Sequence, residues 1–411
     1  MIRKSLFALN ALNFFMADVQ AGLGPFLGVY LQARHWPPAE IGIVMTIGGI
    51  SGMVATTPLG ALVDQVRWKR AIVIVAAIAI TLAAIAILPR QDFALVAAAQ
   101  AAIGVAAAAV GPAIAAITLG LVHQQGFAHQ LGRNQAYNHA GNVAAAALAG
   151  GCGYMFGLGA VFAVLAVTAA FSVASALRID ASQIDHRAAR GAGAHDGDSG
   201  IARFAVLLQS KPLLVLGATL TLFHLGNAAM LPLLGQALVA HGDGDASAFT
   251  GATIVIAQTA MVPVALFAAR LAEEKGYWLI FLLALIALPI RGIMASLVTA
   301  PWGLVPVQIL DGVGAGILGV AVPGLVARVL AGTGHINAGL GAVMTMQGIG
   351  AALSTTVGGV IAQRLGYSAS FLALGAIAAL ALILWVAARA ITIEACADTP
   401  VKTDTETKTA A

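Results

Sequence analysis

Apolar residues run in long blocks along this chain, and polar and turn-forming residues fall between them at short intervals. Read between those breaks, the pattern predicts twelve helical spans, at 5–31, 39–63, 70–88, 93–120, 134–154, 157–177, 212–239, 248–269, 277–298, 302–329, 337–362 and 367–389. At 1.5 Å per residue, blocks of this length cross a hydrocarbon core about 30 Å thick. Residues 178–211, which include RIDASQIDHRAARGAGAHDGDSGIARF, are too hydrophilic to span and read as a linker. Residues 393–411 read as a disordered tail. The expectation is an all-α membrane protein of 12 transmembrane helices. One six-helix bundle occupies residues 1–177 and a second, pseudo-symmetric with it, residues 212–392.

Composition supports the membrane reading. The chain is 60% apolar and 9% charged, against roughly 25% charge in soluble domains. Its start, MIRKSLFALNALNFFMADVQAG, has a basic end followed by an apolar run but no convincing small-residue cleavage site, and reads as a retained first helix. An even number of spans puts both termini on one side. Seventeen of the 21 Lys and Arg fall on that side, which makes it cytoplasmic by the positive-inside rule and the membrane a bacterial inner membrane. The net charge of +4 follows from this topology and implies no nucleic-acid partner. Cys152 and Cys396 offer neither a disulfide framework nor a metal spacing.

The halves also echo each other. Gln100-Ala-Ala-Ile-Gly-Val stands 208 residues before Gln308-Ile-Leu-Asp-Gly-Val, and Gly150-Gly151 the same distance before Gly358-Gly359. Two matches on one offset point to a duplicated six-helix unit with a site between the copies.

Between the second and third spans the sequence reads GALVDQVRWKR. It resembles the loop signature of the major facilitator superfamily, G-x-x-x-D-x-x-G-x-R/K-R/K, with Gly60, Asp64, Lys69 and Arg70 in place and Arg67 at the second glycine. Gly60 permits close helix approach, Asp64 can meet the positive end of a neighbouring helix, and Lys69 and Arg70 hold the loop at the membrane face. The resemblance implies a secondary transporter whose spans 1, 4, 7 and 10 line a central cavity. It also marks two departures. Gln100 stands where many proton-coupled members carry arginine, and Ala147-Leu-Ala-Gly-Gly replaces the proline-containing motif frequent in drug:proton antiporters.

Several polar groups are stranded in the spans. Asp18 lies about 20 Å from either end of the first, too deep for its carboxylate to reach water, and a lipid-facing charge there costs at least about 2.5–3.5 kcal/mol. It is expected to face the cavity as a proton-coupling group. Asn134, Asn138 and Asn142 form an i, i+4, i+8 stripe with His139 beside them, and His224 and Asn227 share a face of the seventh span. Gln100, Gln258, Gln308 and Gln347 add neutral donors and acceptors to the expected cavity set of Asp18, Asn138, His139, Asn142, His224 and Asn227. Arg291 and Asp311 lie at similar depth in antiparallel neighbouring spans and are expected to form an ion pair.

No catalytic constellation, metal motif or phosphate loop appears. Gly314-Ala-Gly316-Ile-Leu-Gly319 matches a dinucleotide pattern but lies inside a span without a preceding strand, so it reads as helix packing. The expectation is a monomeric carrier rather than an enzyme, needing no cofactor, with protons, a small-molecule solute and the lipid bilayer as partners. Proton-coupled efflux of an amphipathic organic compound comes first. Uptake of a small metabolite or siderophore-like compound, and a transport-inactive sensor or scaffold, are the alternatives.

Overall fold

The computed structural model describes residues 2–186, 188–190, 210–241, 245–298, 301–330 and 336–396. Among them there are helices and turns but no strand. Ten segments are long and apolar enough to cross a membrane: 2–32, 38–63, 93–123, 160–178, 211–240, 246–272, 277–297, 304–329, 339–365 and 367–387. The protein is a multi-pass membrane protein.

The first segment is two helices, α1 (Ile2–Ala21) and α2 (Pro25–Gln32). Between them Gly22 and Gly24 take φ of 62° and 49°, a region that side chains disfavour and glycine accepts. Pro25 then restarts the helix at a position whose N–H would be unpaired anyway. Next come α3 (Pro38–Gln65) and α4 (Lys69–Ile85). α5 runs from Phe93 to Phe156, with Asp92 capping its start by accepting the Leu95 N–H at 3.0 Å. The break expected at 121–133 shrinks to one residue, His123, at φ 54° and ψ −177°. Polarity reports where a chain leaves the bilayer, not where its helix stops.

α6 (Ala160–Arg178) leads into two short 3₁₀ turns, Ala181–Gln183 and Ala188–Arg190, that fold back on α5. Asp185 N donates to Gly120 O at 2.9 Å, and Ile184 and Ala189 are buried. The expected linker thus begins as packed structure; residues 187 and 191–209 lie outside the described residues.

The second half holds α7 (Lys211–Asn227), α8 (Met230–His241), α9 (Ala246–Lys275), α10 (Tyr277–Leu297), α11 (Leu304–Val329), α12 (Ile336–Leu365), α13 (Tyr367–Ala387) and α14 (Arg389–Cys396). α14 occupies the start of the expected tail. Its Thr392 and Cys396 are buried, and Arg328 donates to the Cys396 carbonyl at 3.1 Å. Burial pushes the Cys396 thiol up to about 12, so it packs as a small apolar group. Residues 397–411 lie outside the described residues.

Two apolar cores result, one drawn from residues 8–189 and the other from residues 213–396. α3 and α9 begin 208 residues apart, at Pro38 and Ala246, as do α4 and α10, at Lys69 and Tyr277. Gly104 packs on the backbone of Gly48, and Gly312, 208 residues on, packs on that of Ala257.

The halves meet along α3 with α12, α5 with α9, and α2 with α8. These contacts gather toward the end of the molecule that carries the α2–α3 and α12–α13 turns. Thr46 Oγ1 lies 2.6 Å from Ala352 O, 2.9 Å from Thr355 Oγ1 and 2.7 Å from Thr356 Oγ1. Tyr367 Oη donates to Gln32 Oε1 at 3.1 Å, and Ala39 N to Gln363 Oε1 at 3.2 Å. Glycine makes the approach possible: a Cβ on Gly42 would overlap the Thr355 carbonyl, and one on Gly359 the Pro38 carbonyl. Farther along α3, a Cβ on Gly60 would meet nothing within 4 Å. Among the described residues, these interlocking contacts lie at this one end.

Candidate functional site

Beyond the seal, a cavity of about 420 Å³ is walled by α1, α3 and α5. Gly48, Gly49, Gly52 and Gly104 thin its wall, Ile103 and Ala107 supply apolar surface, and Gln20, Thr56 and Gln100 supply polar groups. Met53 is also in the lining, and its sulfur lies 3.8 Å from where a Cβ on Gly348 of α12 would stand. The half-buried Gln347 is the residue before Gly348.

Asp18 faces elsewhere. Thr168 Oγ1 of α6 donates to its Oδ2 at 2.7 Å, and Phe15 stacks on Phe171 of α6 with centroids 5.0 Å apart. Gln20, two residues on and about 200° around the helix, is the polar α1 side chain that lines the cavity, beside Ala21. Asp18 is thus held toward α6 and, contrary to expectation, does not line this cavity. Burial depth constrains how far a group is from water, but azimuth is set by which neighbouring helix offers a hydroxyl. Because an asparagine at this position still accepts from Thr168, Asp18→Asn should leave folded yield and transport near wild type. Flux abolished by Asp18→Asn in a well-folded variant would show that the charge itself is used.

The second half holds a buried polar knot on three helices. Arg291 Nη1 of α10 lies 2.9 Å from Asp311 Oδ1 of α11, with Arg291 only 1% exposed. Arg291 also donates to Asn227 Oδ1, and Asn227 Nδ2 is 3.4 Å from Asp311 Oδ1. Asn227, expected as a cavity residue, thus closes a triangle with the ion pair from the last position of α7. His224 sits one turn earlier on α7, its ring 5.2 Å from that of Phe223, with Nε2 unpartnered among the described residues.

In α5 the asparagine stripe divides. Asn134 is buried and donates to Thr118 Oγ1 at 2.9 Å, while Gln130 Nε2 donates to Asn134 Oδ1 at 2.9 Å and to Asn10 Oδ1 at 2.8 Å. This network ties α1 to both arms of α5 across the kink. Asn10, Thr118 and Gln130 were not singled out from sequence, although Asn10 is a polar break in the apolar run FALNALNFF. Asn142 donates to Asn138 along the helix at 3.1 Å, and His139 Nδ1 has no described partner.

Gln308 is corrected as a cavity residue. It has no exposed surface, and neither amide atom has a described partner. Small residues explain its burial: Gly312 and Gly316 let α9 close over α11, so that a Cβ there would lie 2.6 Å from Ala257 O and 2.7 Å from Met261 O. Gln258 of α9 is half-buried, with Oε1 unpartnered among the described residues.

A family profile described as "MFS_1 like family" matches residues 6–373. The chain belongs to this family of transporters. Its curated relatives include two proteins named uncharacterized MFS-type transporters, from Mycobacterium tuberculosis strains CDC 1551 / Oshkosh and H37Rv. Each is 45% identical over 390 residues, covering 94% of this chain and 93% of the relative. Among solved structures the fold is similar to the nucleoside transporter NupG, with TM-score 0.74 and 15% identity over 94% of this chain and 98% of that one. It is also similar to a bacterial homolog of the human lysosomal transporter Spinster in an inward-facing, unoccupied conformation. That match has TM-score 0.72 and 13% identity over 97% of this chain and 99% of the other. The chain is a transporter and not an enzyme.

The MFS loop motif has its own geometry. Lys69, 1% exposed, donates to Val63 O at 2.7 Å and Val66 O at 3.3 Å. It caps the carbonyl end of α3, where a cation is favoured, and so holds the α3–α4 turn. Arg70 donates to the Ile179 carbonyl after α6 and so ties the α3–α4 turn to the next helix pair. Gly60 makes no close helix approach here, contrary to expectation. The Asp64 side chain lies outside the described residues.

Proposed function

We propose that this MFS protein is a secondary carrier working by alternating access, exporting a small amphipathic organic solute in exchange for protons. The single observation that carries the reading is the one-sided seal: the halves interlock at the α2–α3 and α12–α13 end, while Gly60 stands free on α3. A carrier must open one end while the other is shut. The ten apolar segments, with the 17-residue α4 and the second arm of α5, make twelve crossings in two six-helix bundles. The bias of Lys and Arg puts both termini, and the open end, on the cytoplasmic side of a bacterial inner membrane, where a solute for export would load.

Amides and apolar surface in the cavity suit a neutral or weakly cationic solute, since a phosphate would call for an arginine cluster. His224, one turn from the Arg291–Asp311–Asn227 knot, supplies the titratable group for proton exchange. A thermal-shift screen of compound classes on purified protein would identify the solute class. Everted vesicles given a pH gradient then test the direction: solute entry as protons leave supports export, and movement only in right-side-out vesicles makes the protein an importer. Gln20→Ala and Gln100→Ala should each lower solute flux about tenfold, the effect of losing one hydrogen bond of about 1.4 kcal/mol. Unchanged flux in both would remove the solute from this cavity.

A further inference from the structure

At the end of the molecule where α1 begins and α6 ends, a second cavity of about 410 Å³ is lined by Arg3, Lys4, Phe7, Ala8 and Arg178. Its three cations come from two helices. None forms an ion pair with a described residue. Asp180, the acid nearest in sequence, is turned to its own 3₁₀ turn, accepting from Ser182 N at 2.9 Å, Ser182 Oγ at 2.7 Å and Gln183 Nε2 at 3.1 Å. Three like charges around one cleft repel each other unless an anion joins them.

The apolar side of the cleft decides what kind of anion. Phe7, one helical turn into the membrane from Arg3, is 72% exposed, and Leu177, beside Arg178, is 59% exposed. Deeper along the seam between α1 and α6, Phe171 is 52% exposed while stacked on Phe15. A cationic rim therefore continues into an open strip of aromatic and aliphatic surface, and the strip runs toward the bilayer interior. A free phosphate would use the rim alone. A phospholipid would use both parts, its anionic headgroup at Arg3, Lys4 and Arg178 and an acyl chain along Phe7 and Leu177.

We propose that this cleft is a binding site for an anionic phospholipid, separate from the solute cavity and independent of the direction of transport. Native mass spectrometry of the full chain in mild detergent tests it, with phosphatidylglycerol, phosphatidylcholine and inorganic phosphate as probes. The first phosphatidylglycerol should bind at least about tenfold more tightly than phosphatidylcholine at low salt, with the ratio falling as salt rises. The triple variant R3A/K4A/R178A should lose this preference, and R270A/K275A, which removes exposed cations elsewhere, should keep it. Thermal unfolding without added lipid checks that the triple variant is folded; if it is not, the single reversal R178E carries the same test. Equal binding of the two lipids, or a preference that survives in the folded cleft variant, would overturn the proposal. So would displacement of phosphatidylglycerol by inorganic phosphate, which would make the cleft a site for a free anion.

Discussion

Arg291→Ala should sharply lower the yield of folded protein, and adding Asp311→Asn should recover much of the loss. Arg291 is 1% exposed, 2.9 Å from Asp311, and bonded to Asn227. Removing one member of a buried pair leaves the other charge without its partner, at a cost of about 3–5 kcal/mol, whereas neutralising both avoids most of it. Single domains are stable by only about 5–15 kcal/mol, so the single variant sits near the threshold for folding. Fluorescence-detected size exclusion and unfolding midpoints read this directly. The proposed use of His224 adds a second readout: the double variant should fold yet show an altered pH dependence of transport, because His224 lies one turn from Asn227 in the knot. A double variant no better folded than Arg291→Ala would sink the pairing as a source of stability.

Gly42→Val should hold the carrier open at the end that is sealed here and cut transport at least about tenfold, the effect of shifting a two-state balance by about 1.4 kcal/mol. Even a Cβ at Gly42 would overlap the backbone carbonyl of Thr355, and backbone cannot rotate aside as a side chain can. The same substitution would pull apart the threonine cluster in which Thr46 meets Ala352, Thr355 and Thr356. Spin labels at Ala33 and Leu365, both exposed near the seal, should move apart in Gly42→Val when Cys152 and Cys396 are replaced by serine. Gly60→Val provides the opposite test. Gly60 has open space in this conformation, so a side chain there obstructs only the closure of the other end. It should leave the label pair close while also lowering flux. An unchanged separation and full transport in Gly42→Val would show that the halves do not part at this surface.

Much of this could be read along the chain, and the limits fall at particular residues. The apolar blocks located ten of the twelve expected spans, and the pairing of Arg291 with Asp311 could be anticipated because the two sit at similar positions in antiparallel neighbours. Asp18, expected on the cavity face, is turned toward α6 by the hydroxyl of Thr168, 150 residues away. Gln308 matches Gln100 in the repeat, but α9 closes over it while Gln100 lines a cavity. Lys69 belongs to a loop motif and is buried because the carbonyls ending α3 offer it a partner. Asn10, Thr118 and Gln130 had no local signal stronger than isolated polarity, yet with Asn134 they form a network across two helices.

The sequence by itself determined the solvent, the order of the apolar helices, the 208-residue echo between halves and the loop motif. Each depends on properties that accumulate along the chain: hydropathy over some twenty residues, or spacing within a short segment. Only the tertiary structure decided which face each polar residue presents, which end the halves seal, and which three cations share a cleft. Those outcomes depend on helix azimuth and on contacts between residues hundreds of positions apart, and periodicity along one helix cannot specify the neighbour that a given face will meet.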